Sequence, residues 1–313
     1  MVHALVKEMK TKNVRALAKA ITLVENDHPA KLELLNDLYP LQKSTHYIGI
    51  TGSPGAGKST LVDRLVTQIR NEGQTVAIIA VDPTSPFSGG ALLGDRVRMS
   101  QHFADDGVFI RSMATRGSLG GLARATKDAI RVCGAYGFDV VIVETVGVGQ
   151  SELDIMKVVD STAVVLTPNS GDVLQIFKAG IMEIADLFVI NKADIQGVTK
   201  LKRLLKEPVT LAHTEERITP IIKTVATENK GIDELWDQFK EHEQYMSRSV
   251  EGEKRRDMQH ELEVCELIRD EIWRDVETYI NDHREQFELT KDVPPYQMAM
   301  DWYEKWKKDV KNI

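Results

Sequence analysis

The octet Gly52-Ser53-Pro54-Gly55-Ala56-Gly57-Lys58-Ser59 constrains this chain more than any other stretch of it. It fits the pattern G-x-x-x-x-G-K-[ST]. There the glycine-rich backbone turns its N–H groups onto the phosphates of a nucleotide, the lysine reaches the β- and γ-phosphates, and the hydroxyl can hold Mg2+. Four specified positions, with glycine at about 7% of average usage, coincide by chance in on the order of one chain in a hundred of this length. The flanks supply the required context. An apolar run, Tyr47-Ile48-Gly49-Ile50, precedes the octet, and Leu61, Leu65, Val66 and Ile69 follow it at helical spacing. The reading is strand, phosphate loop, helix. Gly52, Ser53, Pro54, Gly55, Ala56, Gly57, Lys58, Ser59 and Thr60 are therefore expected to cradle a nucleoside triphosphate.

The rest of the chain narrows the class. At 313 residues it can bury a large core, and 42% hydrophobic with 28% charged residues is ordinary for a globular protein. A formal net charge of −7 argues against broad binding to nucleic acid or anionic membrane. The two cysteines, Cys133 and Cys265, stand far apart in apolar-periodic contexts, which fits buried structural thiols in a reducing compartment better than a disulfide or a metal site. No apolar run approaches membrane-spanning length. The amino-terminal stretch is basic and amphipathic, but it carries Glu8 and Glu25 and has no apolar signal core. The expectation is a cytoplasmic protein.

Three regions are expected. In residues 1–44, Val14, Leu17, Ala18, Ile21 and Val24 repeat at helix spacing, and Leu32, Leu35 and Leu38 continue as a second helix ending near Pro40. This helical arm is too short to be a domain by itself. In residues 45–240, β-branched apolar runs recur at 76–81, 108–110, 140–143, 161–166, 187–190 and 219–222, several of them separated by amphipathic stretches. Near-continuous apolar strands between helices imply an α/β fold with a mostly parallel sheet covered on both faces. Ligands of such sheets sit beyond the strand C-termini, where the polar motifs of this chain fall. Residues 241–313 lose strand character. Leu262, Cys265, Leu267, Ile268, Ile272 and Val276 mark a long amphipathic helix, and Pro294-Pro295 precedes a segment with Trp302, Tyr303 and Trp306.

The motifs after the strands are specific. Asn191-Lys192-Ala193-Asp194 follows the 187–190 run. A carboxylate at Asp194 can accept both N1–H and N2–H2 of guanine, a donor pair that adenine lacks. Val225-Ala226-Thr227 follows a later strand and could offer backbone contacts to the base. Glu144-Thr145-Val146-Gly147 follows the 140–143 run and places a carboxylate where Mg2+ is held in related loops, with Gly147 able to approach a γ-phosphate. Most small G proteins have Asp at that position, so Glu144 is a departure whose longer reach suits direct ligation or water activation. Asp82, after the 76–81 run, and Asp95, in Gly94-Asp95-Arg96-Val97-Arg98, are two further candidate metal or catalytic carboxylates. Residues 85–90 together with Asp95, Arg96 and Arg98 make a candidate switch around Mg2+ and the γ-phosphate. Either arginine could stabilise the transition state, or pair with nearby acids. Gln150 stands three residues after Gly147, a spacing that does not match the usual water-positioning glutamine.

Taken in order, Gly52 to Thr60, Val81-Asp82-Pro83, Gly94-Asp95-Arg96-Val97-Arg98-Met99, Glu144-Thr145-Val146-Gly147-Val148-Gly149-Gln150-Ser151-Glu152 and Asn191-Lys192-Ala193-Asp194 resemble one family. It is that of the MeaB/ArgK/MMAA-type GTPases, G-protein chaperones of adenosylcobalamin-dependent acyl-CoA mutases such as methylmalonyl-CoA mutase. The resemblance covers essentially the whole chain. It implies a P-loop NTPase fold with a SIMIBI-type G domain flanked by helical extensions. Lys58 and Ser59 would bind phosphate and Mg2+, Asp82, Asp95 and Glu144 would surround the metal, and Asn191, Lys192 and Asp194 would read guanine. It also implies a third switch at residues 167–178, with Asp172, Gln175 and Lys178 coupling the nucleotide to the mutase. Asn169 there replaces a glycine frequent in relatives. The C-terminal helices would form a homodimer, and the chain need not bind cobalamin itself.

Two other functions fit parts of the pattern. A metallochaperone GTPase delivering nickel would need a His/Cys cluster, whereas the eight histidines are scattered and the cysteines single. A kinase acting on a transport protein would need an acceptor site, for which no motif is evident. An ATP-driven relative is disfavoured by Asn191 to Asp194 and by Ser53-Pro54, which stand where such loops carry a lysine-bearing variant.

Overall fold

The computed structural model describes residues 2–82, 99–114, 124–145, 155–168, 184–211, 217–287 and 292–310. Seven strands make one sheet in the order β3-β2-β4-β1-β5-β6-β7. They are β1 (His46–Gly52), β2 (Val76–Asp82), β3 (Val108–Ala114), β4 (Val140–Thr145), β5 (Ser161–Leu166), β6 (Leu187–Ile190) and β7 (Ile221–Lys223). Every pairing is parallel, for example Ile50 opposite Glu144 and Ile48 opposite Ser161. The sheet is thus wholly parallel, as the continuous apolar runs require once both faces are covered.

Alternate residues of each strand feed two separate cores, as the period-2 geometry of a strand dictates. Ala77, Ile79, Val81, Val141, Val143, Val164 and Leu166 face one core, and Val76, Ile78, Val140, Ile142, Ala163 and Val165 face the other. The second core is closed by α4 (Lys58–Asn71) through Leu61, Leu65 and Ile69, and by Ile232, Leu235, Trp236 and Phe239 of a later helix, Ile232–Arg248. The first is closed by α5 (Arg124–Tyr136), outside which lie the amino-terminal helices α1 (Val2–Lys10), α2 (Val14–Glu25) and α3 (Lys31–Leu38). Between the sheet's last strands runs α6 (Val198–Leu211), and α7 is the helix Ile232–Arg248.

The arm holds one helix more than the sequence reading placed there. Val2, Leu5, Val6 and Met9 of α1 follow the i, i+3, i+4, i+7 pattern and are all buried. Asn13 caps α2 by accepting from the Arg15 and Ala16 N–H groups. The arm is knit to the sheet-bearing unit by polar contacts as well as by its core. Lys31, 5% exposed, pairs with Asp128 of α5 at 2.6 Å, Lys12 Nζ donates to the Tyr136 carbonyl, and Tyr136 Oη donates to the Lys12 carbonyl at 2.6 Å.

The chain divides into two compact units, Met1–Ser249 and Val250–Ile313. Helix α7 runs through residue 240 because His242 and Met246 remain buried beyond it. The second unit consists of α8 (Val250–Asp282) and α9 (Pro295–Val310), with Phe287 fully buried edge-on between Tyr279 and Trp302. Cys133 of α5 is buried as expected, whereas Cys265 of α8 is exposed, on a helix whose apolar residues are largely uncovered. Among the described residues no helix is long and apolar enough to cross a membrane.

Candidate nucleotide-binding site

The phosphate loop lies where β1 ends and α4 begins, and two of its glycines are demanded by their surroundings. Gly52 has φ +135°, and a Cβ there would meet the Val165 carbonyl oxygen at 2.1 Å. Gly57 has φ +89°, and a Cβ there would meet Asn191 Nδ2 at 2.5 Å. No side chain fits either position, so the loop can close against β5 and the Asn191 segment only with glycine.

Lys58 and Ser59 open α4 and are buried. Lys58 Nζ donates to the Gly52 carbonyl at 2.6 Å and to the Ser53 carbonyl at 3.2 Å, which keeps the ammonium inside the curl of the loop. Ser59 Oγ donates to Glu144 Oε1 at 2.6 Å. Glu144 is 5% exposed and sits on β4 directly beside Ile50 of β1, so the sheet register itself carries the carboxylate to the start of α4. One residue on, Thr145 Oγ1 donates to Thr51 Oγ1 at 2.9 Å. Asp82 ends β2 opposite Ala114, following Val81, which pairs with Thr145. A hydroxyl and a carboxylate in contact form an all-oxygen donor set, which suits Mg2+ and not the softer metals.

The Asn191-Lys192-Ala193-Asp194 segment is tied to the phosphate loop directly. The Asn191 N–H continues the sheet ladder to the Leu166 carbonyl at 2.9 Å. Its side chain spans two loops: Nδ2 donates to the Ala56 carbonyl at 2.9 Å, while Oδ1 accepts from Thr224 Oγ1 at 3.1 Å and from the Ala226 N–H at 3.2 Å. Lys192, held at φ +55°, donates from Nζ to the Gly55 carbonyl at 2.9 Å. Asp194 is exposed, its carboxylate open to a ligand. Val225 exchanges backbone hydrogen bonds with Lys230, folding Val225, Ala226 and Thr227 into a tight loop over Asn191, with Thr227 exposed. Beside it the Lys230 ammonium is held above its ordinary range by Glu228, with Asp194 adding to the effect.

The structure therefore brings Gly52 to Thr60, Glu144, Asn191, Lys192, Asp194 and Val225 to Thr227 to one end of the sheet. Asp95, Arg96, Arg98, Gly147, Gln150, Asp172, Gln175 and Lys178 lie outside the described residues. Two contributors were not singled out from sequence. Arg64 of α4 donates from Nε to the Ala226 carbonyl at 3.2 Å, and Thr224 holds Asn191. Thr224 directly follows β7 and precedes Val225 to Thr227, a position that could have marked it; Arg64 carries no local signal. Among the described residues the one His/carboxylate group with ligand atoms within 4.8 Å of one another is His3, Glu33 and Asp37, on α1 and α3 and outside this site.

Comparison with known proteins agrees with this geometry. Residues 17–281 match the family described as Methylmalonyl Co-A mutase-associated GTPase MeaB. A Pyrococcus abyssi protein named as a GTPase is 50% identical over 309 residues, covering 96% of this chain and 95% of that protein. The mouse protein named methylmalonic aciduria type A homolog, mitochondrial, is 38% identical over 282 residues, covering 84% of this chain and 68% of its own. Among solved structures, a LAO/AO transport system kinase superposes with a TM-score of 0.70 at 26% identity, covering 98% of this chain and 97% of that one. With a phosphate loop, the Asn191-Lys192-Ala193-Asp194 segment and a carboxylate on the loop serine at one sheet end, and this match over most of its length, the chain belongs to the MeaB family of GTPases.

Proposed function

We propose that this GTPase is a chaperone of an adenosylcobalamin-dependent acyl-CoA mutase, methylmalonyl-CoA mutase or a close relative, whose cofactor loading, protection or reactivation it gates. The observation that carries the switch is the Ser59–Glu144 contact: one residue of the phosphate loop and one near the end of β4 share a hydrogen bond at the start of α4. Thr145, Val146 and Gly147 follow Glu144 along the chain, so a γ-phosphate that engages Glu144 would act two residues from this run. The mutase as client is supported by the family's description and by the name of the mouse relative.

In hydrolysis, water attacks the γ-phosphorus in line while the β–γ bridging oxygen leaves with the electron pair. Lys58 and the loop N–H groups offset the charge that gathers on the phosphate oxygens. Ser59 and Glu144, with Asp82 and Asp95, would hold Mg2+, which supplies further neutralisation of the β- and γ-oxygens when bound. Asn191 positions the base loop, Asp194 pairs with the guanine edge, and the Val225 to Thr227 backbone lies beside it. Arg96, Arg98, Gln150, Asp172, Gln175 and Lys178 are assigned to partner coupling, and α8 and α9 to a homodimer contact.

The test is phosphate release from GTP with and without cobalamin-dependent acyl-CoA mutases, followed in parallel with 32P transfer onto protein. Stimulation by a mutase supports the chaperone. Radiolabel on a transport protein would instead favour the kinase reading suggested by the name of the superposed structure. GTP turnover indifferent to every mutase would sink the client assignment and leave the GTPase standing.

A further inference from the structure

At the opposite end of the sheet from the phosphate loop, polar side chains form one buried hydrogen-bonded line. His46 opens β1, Ser161 opens β5, Asp186 stands just before β6 and His242 comes from α7. His46 Nε2 lies 2.8 Å from Ser161 Oγ, Ser161 Oγ lies 2.7 Å from His242 Nδ1, and His242 Nε2 lies 3.4 Å from Asp186 Oδ1. His46, Ser161 and His242 are 2%, 0% and 1% exposed. At the far end Glu243 Oε2 stands 3.6 Å from His46 Nδ1.

One proton arrangement satisfies the line. An ionised Asp186 only accepts, so His242 carries its hydrogen on Nε2 and leaves Nδ1 bare. Bare Nδ1 accepts the Ser161 O–H, and the Ser161 oxygen accepts from His46 Nε2–H. His46 Nδ1 is then bare, with no hydrogen-bond partner among the described residues. In this arrangement each ring carries a single hydrogen. A proton added at His242 Nδ1 turns an acceptor into a donor: the Ser161 oxygen would face two N–H groups, and its own hydrogen would lose its acceptor. A proton added to His46 charges a buried ring beside the second imidazole.

The surroundings reinforce this. Phe239 of α7 stands edge-on to the His46 ring at 6.3 Å, and Tyr245 lies 6.4 Å from the His242 ring. Arg217 donates to the Asp186 carbonyl at 3.3 Å, and the second Asp186 oxygen accepts the Thr162 N–H at 2.7 Å. Asp160, ahead of β5, accepts the Tyr47 N–H at 2.9 Å. Burial first, then His242, pull the His46 pKa down to about 3, against a smaller upward pull from Asp186. Burial, with Asp160, holds the Glu243 carboxyl above its usual range.

The line joins α7 to the starts of β1, β5 and β6, three neighbouring strands whose other ends lead into the phosphate loop, residues 167–178 and the Asn191 segment. We propose that it is an acid-sensitive latch: α7 is held on these strands while both rings are neutral, and uptake of a proton by the His46–Ser161–His242 line releases it. The latch is independent of which protein the GTPase serves.

The sign follows from linkage. A histidine whose folded pKa lies below the unfolded value of about 6.5 leaves the unfolded state with more bound protons between the two values. The stability it contributes is whole above about pH 6.5 and declines as pH falls toward about 3. Glu243, shifted upward, contributes in the opposite sense: its share is present at low pH and is lost as pH rises. It therefore cannot produce a loss on acidification.

The test is amide hydrogen exchange of the full chain at pH 7.5 and 5.5, corrected for intrinsic rates, with 15N spectra of the histidine rings assigned through His46→Asn and His242→Asn. Expected are Nε2–H tautomers for both rings at pH 7.5 and a fall in protection of α7 of about tenfold at pH 5.5, one pH unit of proton linkage, while β2 and β3 keep theirs. Ser161→Ala should lower α7 protection already at pH 7.5, and His46→Asn, which has no ring to take up the proton, should flatten its pH dependence. If that variant does not fold, the wild-type exchange and ring spectra decide. Equal α7 protection at both pH values, a parallel loss throughout Met1–Ser249, or an imidazolium at pH 7.5 overturns the latch.

Discussion

Asn191 shows how much one side chain can organise. Its amide donates to the phosphate loop and accepts from the base loop, so neither loop can shift without breaking a buried hydrogen bond. Asp194, three residues on, is free of that structural duty and exposed. Asp194→Asn is therefore expected to keep the fold and weaken GTP and GDP binding by roughly 10- to 100-fold, the loss of a charge-assisted hydrogen-bond pair to the base. Titration calorimetry with GDP checks this, and an unchanged Kd would remove the base-reading role. Glu144→Gln keeps an acceptor for Ser59 but drops the negative charge. GTP turnover should fall by about 100-fold or more with the melting temperature nearly constant; single-turnover kinetics measures it, and a kcat within a few-fold of wild type would refute a catalytic or metal-holding Glu144. Asn191, Asp194, Lys58 and Ser59 were legible because each belongs to a short motif after a strand. Arg64 was not, since its contact with Ala226 spans 162 positions of sequence.

The helices divide by what their apolar faces meet. Those of α2, α4 and α7 are buried against the sheet or its covering helix, and their periodicity was readable for that reason. α1 is only nine residues long, too short for periodicity to stand out, yet it is ordered by burial of Val2, Leu5, Val6 and Met9. α8 is the contrast. Its Met258, Leu262, Ile268 and Ile272 recur at helical spacing but remain exposed, and Gly252 is its one buried residue among those described. An uncovered apolar stripe of this kind is suited to a partner surface. With the homodimer proposed above, Ile268→Glu should shift the chain from dimer to monomer in analytical ultracentrifugation and leave basal GTP turnover within about twofold. A wild-type monomer would contradict that assignment.

At the scale of the molecule, the amino-terminal helices share a core with the sheet, and the contact break comes after Ser249. Residues 1–249 expressed alone should fold, melt cooperatively and hydrolyse GTP at a rate within a few-fold of the full chain. A chain starting at residue 45 would expose the outer side of α5 and lose the buried partner of Asp128, and should be recovered insoluble or with a melting temperature lower by 10 °C or more, as removing one partner of a buried pair costs about 3–5 kcal/mol by itself. Circular dichroism melts of both pieces test this; a stable 45–249 piece would show the arm to be dispensable. The amino-acid sequence by itself determined the nucleotide, the α/β class and the parallel sheet, because phosphate loops, base-reading motifs and near-continuous apolar runs are local patterns written within a few residues. Only the tertiary structure decided that Glu144 touches Ser59, that Asn191 bridges two loops and that His46, Ser161 and His242 form one buried line. Those contacts join residues from separate strands and helices, and it is the register and packing of the sheet that brings them within hydrogen-bond reach.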